Sequence, residues 1–226
     1  MKVHPAVRLA VPAALFAVLL AAPGRRALPA TAEDLEPVVD TEGEPPPAVA
    51  IEELYHEMAV PGARITVVEF SDFGCQYCGA FHRETLPELR RDYVATGKVR
   101  WRVVPFVLGM FPNGAEAMRA ATCVAEQGDD AFWAMHDTLF ARQDEWKSTR
   151  WADQLFRSFA VVAGADGDAF STCYEDARSA DRVAAATALA NRTGVRSTPT
   201  FFVEGQLVQG ALPIADFRRV LDAALK

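Results

Sequence analysis

Cys75 and Cys78 are separated by only two residues, Gln76 and Tyr77, in the stretch SDFGCQYCGAF. A thiolate is the attacking species in thiol–disulfide exchange, whereas an ordinary thiol is mostly protonated at neutral pH. If a helix begins at Cys75, backbone N–H groups and the helix dipole point at its sulfur and favour the charged form. Cys78 then lies one turn further on, where it can attack a mixed disulfide and release the product. The spacing predicts a redox pair with an attacking and a resolving sulfur.

Two other uses of this cysteine pair stand beside the redox interpretation. A zinc site usually needs four ligands, often from two CxxC pairs, and the chain has one such pair. His82 follows Cys78 by four residues, so Cys75, Cys78 and His82 form an alternative copper or zinc site. A purely structural disulfide would close too small a loop to add much stability. We therefore favour redox chemistry and predict no metal and no other cofactor.

The first thirty residues have the pattern of an export signal. They contain four Lys or Arg, no Asp or Glu, and a fifteen-residue apolar run at 9–23. This run fits the core of a signal peptide and is shorter than the roughly 20 residues that span a bilayer. An uncleaved N-terminal anchor is the alternative. In both cases we expect the rest of the chain outside the cytosol, in the periplasm or cell envelope, or secreted.

The remaining charge is strongly acidic. The whole chain has a net charge of −7, and without residues 1–30 it has 19 basic against 30 acidic residues. This balance argues against nucleic acid as a partner. Residues 31–62 hold nine Asp or Glu, no Lys or Arg, and the stretch EPPP. We predict that they form an extended acidic tether, with a short helix at 48–59.

Cys123 and Cys173 are the other two cysteines, and they lie in two different predicted helices. Disulfides persist in an oxidising compartment, and an even number of cysteines fits two pairs. A Cys123–Cys173 bridge would close a loop of about fifty residues, worth roughly 4 kcal/mol by chain entropy. We predict a structural disulfide here, with a second relay pair as the alternative.

The pattern of apolar residues predicts a mixed α/β domain. Strands and helices alternate first, then a helical block interrupts them, and a hairpin and a last helix close the chain. The predicted elements are a strand at 64–70, a helix from Gln76 to about Thr96 kinked at Pro87, a strand at 98–106, helices across about 112–193, a hairpin at 198–210 turning at Glu204–Gly205, and a helix at 213–225. The CxxC pair therefore lies where a strand runs into a helix.

The stretches VVEFSDFGCQYCGAFH and GVRSTPTFFVEGQLVQG together resemble the DsbA-like, thioredoxin-fold disulfide oxidoreductases of bacterial cell envelopes. The resemblance covers about 62–226 and implies a thioredoxin-like domain at 63–226 with a helical insertion at about 112–193. It also implies that Pro199 follows a cis peptide bond, and that Thr198 and Pro199 bind the substrate backbone opposite Cys75. We place Gln76 and Tyr77 among the substrate contacts as well.

Glu69 is the further candidate for the chemistry. The family has an acid six residues before the first cysteine, as Glu69 precedes Cys75 here. Glu69 shares strand parity with Ile65 and Val67, so we expect it to be buried, with a raised pKa, and able to move the proton of Cys78. The alternative is an ion pair between Glu69 and an arginine such as Arg100 or Arg102.

The direction of the redox reaction depends on the residues inside the CxxC motif. Strongly oxidising relatives carry a histidine where this chain has Tyr77, so isomerase and reductase roles stay open beside oxidation. Without a positive charge there, the helix start should supply most of the pKa depression at Cys75. The expected partners are proteins bearing cysteines and a membrane redox partner that recycles the pair. We expect a monomer, and a copper-handling module is the alternative function.

Overall fold

The computed structural model of the protein describes residues 54–226. Within them, five strands form one sheet in the order β1-β3-β2-β4-β5, with β2 parallel to β3 and every other pair antiparallel. The strands are β1 His56–Met58, β2 Ile65–Ser71, β3 Val99–Pro105, β4 Thr200–Val203 and β5 Gln206–Gln209. The β-branched run at the start of β2 occupies the middle of the sheet, where both faces are covered. The active-site stretch follows directly from this central strand.

The segment after β2 is helical, as predicted, but it is broken into three pieces. Helix α1 spans Gln76–Glu84 and helix α2 spans Leu86–Leu89, followed by a π-helical turn at Arg90–Val94. Pro87 lies in the first turn of α2, where its missing N–H costs no hydrogen bond. A new helix therefore begins at this point of the chain. Gly97, with φ +72°, ends the segment.

Six helices form the insertion between β3 and β4. They are α3 Gly114–Ala125, α4 Asp129–Ala141, α5 Gln143–Trp146, α6 Ala152–Val162, α7 Gly167–Glu175 and α8 Ala177–Arg192. Their buried aromatic side chains, including Phe132, Trp146 and Phe156, form a core that also contains both CxxC cysteines. A disulfide joins Cys123 on α3 to Cys173 on α7, with their Cα atoms 5.6 Å apart.

The chain ends with the predicted hairpin and helix. Glu204 and Gly205 both have positive φ, 47° and 81°, as a two-residue type I′ turn requires. Helix α9, Ile214–Ala224, packs Phe217 against the sheet beside Phe81 and Trp101. Phe81 in the second half of α1 belongs to this second core, which anchors the helix that carries the cysteines.

The start of the described chain differs from the prediction. We expected a helix at 48–59, but His56–Met58 is the strand β1, paired antiparallel with β3. The extended backbone lets Glu57 reach Arg102 on the neighbouring strand, at 2.8 Å, so part of the acidic stretch belongs to the sheet. The predicted export segment at 1–30 and most of the tether at 31–62 lie outside the described residues. Within residues 54–226, no helix combines the length and the apolar composition that crossing a lipid bilayer requires.

Candidate active site

A tight turn carries the chain from β2 into α1 and places Cys75 at the N-cap of that helix. The Asp72 side chain organises this turn. Its Oδ1 accepts from the Gly74 N–H at 2.8 Å and its Oδ2 accepts from the Leu108 N–H at 2.8 Å. A Cβ on Gly74 would lie 2.3 Å from the Cβ of Phe111, so only glycine fits at this position. The turn therefore holds the first cysteine in a fixed place.

Both sulfurs of the CxxC pair are shielded, but to different degrees. Cys75 and Cys78 are free thiols, with 3% and 0% of their surface exposed. The Cys75 thiol donates to the carbonyl oxygen of Thr198 at 3.4 Å, and the Thr198–Pro199 peptide bond is cis. The loop before β4 thus lies against Cys75, as the resemblance implied. Tyr77, in contrast, is 61% exposed beside the pair.

The two thiols have pKa values shifted in opposite directions. Hydrogen bonding from Cys78 is the largest cause that lowers the pKa of Cys75, to about 5. The Thr198 side chain and the backbone N–H groups of Cys78 and Tyr77 lower it further. The expectation that the helix start supplies most of this shift is therefore wrong, because the neighbouring sulfur outweighs it. Burial, followed by the neighbouring Cys75, raises the pKa of Cys78 well above that of an ordinary thiol. One sulfur is thus a thiolate at neutral pH and the other holds its proton.

The shifted pKa of Cys75 leads to a direct prediction. A thiol with a pKa of about 5 is almost fully ionised at pH 7, so its alkylation rate should stay level from neutral pH down to about pH 6. The rate should then fall as the pH drops through 5. Iodoacetamide labelling of the reduced protein, with mass spectrometry to locate the label, measures this profile. A midpoint near pH 9 at Cys75 would contradict the assignment.

Glu69 is completely buried, but it does not have the predicted raised pKa. Burial alone would raise the pKa of the carboxyl group, yet the facing His82 lowers it by charge and by a hydrogen bond. Glu69 accepts from His82 Nε2 at 2.7 Å and from Trp101 Nε1 at 2.9 Å. The alternative arginine pair is also wrong, because Arg100 and Arg102 both pair with Glu57. Glu69 is therefore a bonded anion in the core.

The arrangement gives no support to the copper or zinc alternative. Across residues 54–226, no group of three or more His, Cys, Asp or Glu side chains is placed to hold a metal ion.

Two residues that position the cysteines were not identified from the sequence. Asp72 is buried, and burial raises its pKa; its place two residues before Gly74 fits the side-chain-to-backbone turns that aspartate forms, which was a usable signal. Gln143 on α5 donates to the carbonyl oxygens of Phe73 at 2.6 Å and Cys75 at 2.9 Å. Nothing local in the sequence indicates that contact, because 68 residues separate Gln143 from Cys75.

Comparison with known proteins identifies the family and the fold of the chain. Residues 58–223 match the model of a protein family described as Thioredoxin. The Na(+)/H(+) antiporter NhaA 3 of Salinispora tropica is 41% identical over 148 residues, which are 66% of this chain but only 21% of the antiporter. The chain therefore spans about a fifth of the length of that relative. Disulfide bond formation protein D of Bacillus subtilis is 24% identical over 170 residues, 73% of this chain and 74% of that protein.

A solved structure has the same architecture. The crystal structure of alpha-DsbA1 from Wolbachia pipientis superposes with a TM-score of 0.66 at 23% identity, over 76% of this chain and 90% of that one. The predicted thioredoxin-like fold with a helical insertion is confirmed. With its CxxC pair at the start of α1 and a cis-proline loop against it, this chain belongs to the thioredoxin family.

Proposed function

We propose that the protein catalyses thiol–disulfide exchange with cysteines of other proteins and acts as an oxidant. The observation that carries this proposal is the geometry of the pair: Cys75 caps α1 against the cis Thr198–Pro199 loop, and the buried Cys78 lies one turn further on. A substrate thiolate attacks Cys75 in the disulfide form, the Cys75–Cys78 bond breaks, and Cys78 leaves and takes up a proton. A second substrate thiolate then attacks the substrate sulfur of the mixed disulfide. Cys75 departs readily because a low-pKa thiol is a good leaving group.

The substrate chain approaches along the loop before β4. The Thr198 carbonyl lies 3.4 Å from the Cys75 sulfur, so a chain that reaches this sulfur must pass Thr198 and Pro199. Gln76 and Tyr77, which lie between the two cysteines, are exposed and supply a polar and an aromatic contact. The lowered pKa of Cys75 favours oxidation although Tyr77 is not a histidine, because stabilising the thiolate stabilises the reduced enzyme.

The proposed chemistry is consistent with a location outside the cytosol, where disulfides persist. We propose an extracytoplasmic protein, secreted or held by its N-terminus, that acts as a monomer and is returned to the disulfide form by a membrane redox partner. The relative from Bacillus subtilis is named disulfide bond formation protein D, and this name supports the proposal that the present chain acts as an oxidant. The antiporter relatives share only this part of their length, so we assign no ion transport to the chain.

The reduction potential of the Cys75–Cys78 pair tests the proposed direction. Equilibration with reduced and oxidised glutathione, followed by quantifying the two thiols, gives the value. We expect a potential of about −120 to −180 mV, the range of DsbA and protein disulfide isomerase. A value near about −270 mV, as in thioredoxin, would make the protein a reductant and overturn the proposed direction.

A further inference from the structure

Gln143 begins helix α5 of the insertion, and its buried side chain contacts the main chain on both sides of Cys75. Its Nε2 donates to the carbonyl oxygen of Phe73 at 2.6 Å and to that of Cys75 at 2.9 Å. An amide nitrogen carries two hydrogens, so these two bonds use its whole capacity as a donor. One side chain of the insertion therefore joins the two peptide groups that flank the Gly74–Cys75 bond.

The backbone before α1 depends on such contacts because of its composition. Gly74 has no side chain and can adopt more backbone conformations than any other residue, so it does not restrain the turn by itself. Asp72 accepts from the Gly74 N–H at 2.8 Å. The Cys75 carbonyl oxygen also accepts from the Gly79 N–H at 3.0 Å, a bond of the first helical turn. The turn is thus held by Asp72 from the end of β2 and by Gln143 from the insertion.

The Cys75 sulfur is sensitive to this turn because its surroundings are directional. Cys75 is the N-cap of α1, with φ −75° and ψ 121°, and its sulfur lies 3.4 Å from the Thr198 carbonyl oxygen. The favourable effect of a helix N-terminus on a thiolate is confined to the first turn. Rotation of the peptide groups beside Cys75 would therefore move the sulfur away from the groups that activate it.

Gln143 is itself held in place by the packing of α5. Trp146 at the end of α5 is completely buried and donates from Nε1 to the Leu139 carbonyl oxygen at 2.9 Å. The Asn113 amide donates to the carbonyl oxygens of Trp146 at 2.8 Å and Thr149 at 2.9 Å. A side chain can fix another group only if its own supports are rigid. These contacts give Gln143 that support.

Helix α1 leaves room for the Gln143 amide at Gly79. A Cβ on Gly79 would lie 2.1 Å from Gln143 Oε1 and 2.7 Å from Arg83 Nη1. The Arg83 atom is the end of a flexible side chain, whereas the Gln143 amide is bonded to two carbonyl groups. Glycine inside a helix is about 1 kcal/mol less favourable than alanine. The contact with Gln143 gives a physical reason for a glycine directly after the CxxC pair.

We propose that Gln143 is a positioning residue for thiol–disulfide exchange, through which the helical insertion holds the Cys75 sulfur at the start of α1 and against Thr198. Gln143 bonds the main chain and not the reacting sulfur, so it acts through the conformation of the turn. The inference rests on the proposed function, because exchange is the reaction in which the Cys75 sulfur is attacked and later leaves.

Gln143→Met tests this role, because methionine has a similar length and volume but no donor for the two carbonyl groups. Oxidised protein is mixed with a peptide that carries two cysteines, and oxidation of the peptide is followed by mass spectrometry after an acid quench. We expect the variant to be about tenfold to a hundredfold slower, since a displacement of about 1 Å can reduce a rate about a hundredfold. In the reduced variant, the pH midpoint of iodoacetamide labelling at Cys75 should rise above the value of about 5.

Gln127→Met is the matched control. The Gln127 amide also bonds the main chain at two points, but it does so at Asp166, at 2.7 and 3.3 Å. This variant should keep the wild-type rate and midpoint. A wild-type rate or an unchanged midpoint in Gln143→Met would overturn the positioning role, while a wild type that does not oxidise the peptide would overturn the proposed function.

Gly79→Ala tests the same contact while Gln143 is retained. The added methyl group should displace the amide, so the rate and the midpoint should change in the same direction as in Gln143→Met. In a Gln143→Ala background the methyl group has room, and Gly79→Ala should then have little further effect, because residues in contact are not additive. An equal effect of Gly79→Ala in both backgrounds would show that the glycine acts independently of Gln143 and would overturn the inference.

Discussion

A Cys75→Ser variant is expected to lose catalysis of thiol–disulfide exchange down to the uncatalysed rate. A hydroxyl group at this position remains protonated and is a poor nucleophile, so the attack that begins each cycle is removed. Cys78→Ser should behave differently, because Cys75 still attacks while the resolving sulfur is missing. Mixed disulfides with substrates should then accumulate. Electrophoresis without reducing agent, followed by mass spectrometry, detects them.

The Cys123→Ser, Cys173→Ser double variant is the control for this experiment. It removes a disulfide that joins two residues of the insertion 50 positions apart and leaves the CxxC pair in place. Loss of this disulfide should lower the free energy of unfolding by about 4 kcal/mol. Exchange by the folded double variant should persist. Full turnover by Cys78→Ser, or loss of exchange in the folded double variant, would contradict the assigned roles.

Glu69→Ala should destabilise the protein strongly, by about 2 to 6 kcal/mol, because it leaves two buried donors without an acceptor and each such group costs about 1 to 3 kcal/mol. Here both His82 Nε2 and Trp101 Nε1 would lose their acceptor. Glu69→Gln keeps an amide oxygen for one of these donors and should cost less. Urea unfolding followed by fluorescence measures the free energy of unfolding of the wild type and of the two Glu69 variants.

Glu57→Ala is the comparison for Glu69, since Glu57 is a carboxylate near the surface that pairs with Arg100 and Arg102. Its loss should cost within about 1 kcal/mol, as is usual for exposed ion pairs. If Glu69→Ala unfolded at the wild-type urea concentration while Cys78 reacted more slowly, the proton-carrying role for Glu69 would replace the structural one.

The sequence was sufficient for the features that depend on neighbouring residues. The spacing of Cys75 and Cys78, the break at Pro87 and the turn at Glu204–Gly205 all have local physical causes, and the structure contains each of them. The position of Pro199 against Cys75 required the family resemblance, because 123 residues separate Thr198 from that sulfur.

The errors concern residues whose environment is built by distant parts of the chain. The strand pattern predicts a buried Glu69 with a raised pKa, but packing brings it His82 from α1 and Trp101 from β3, and its pKa is lowered. The sequence predicts a helix at 48–59, but pairing with β3 makes His56–Met58 a strand.

The environment of Cys75 also connects the redox state of the protein to its resistance to unfolding. The pKa of Cys75 falls from 9.0 in an ordinary thiol to about 5 in the folded chain. By a thermodynamic cycle, the folded reduced form gains stability that is fully present above pH 9 and is lost as the pH falls through 5. The disulfide form has no thiolate and gains nothing, and its small ring constrains the unfolded chain little. At neutral pH the reduced protein is therefore more stable against unfolding than the disulfide form.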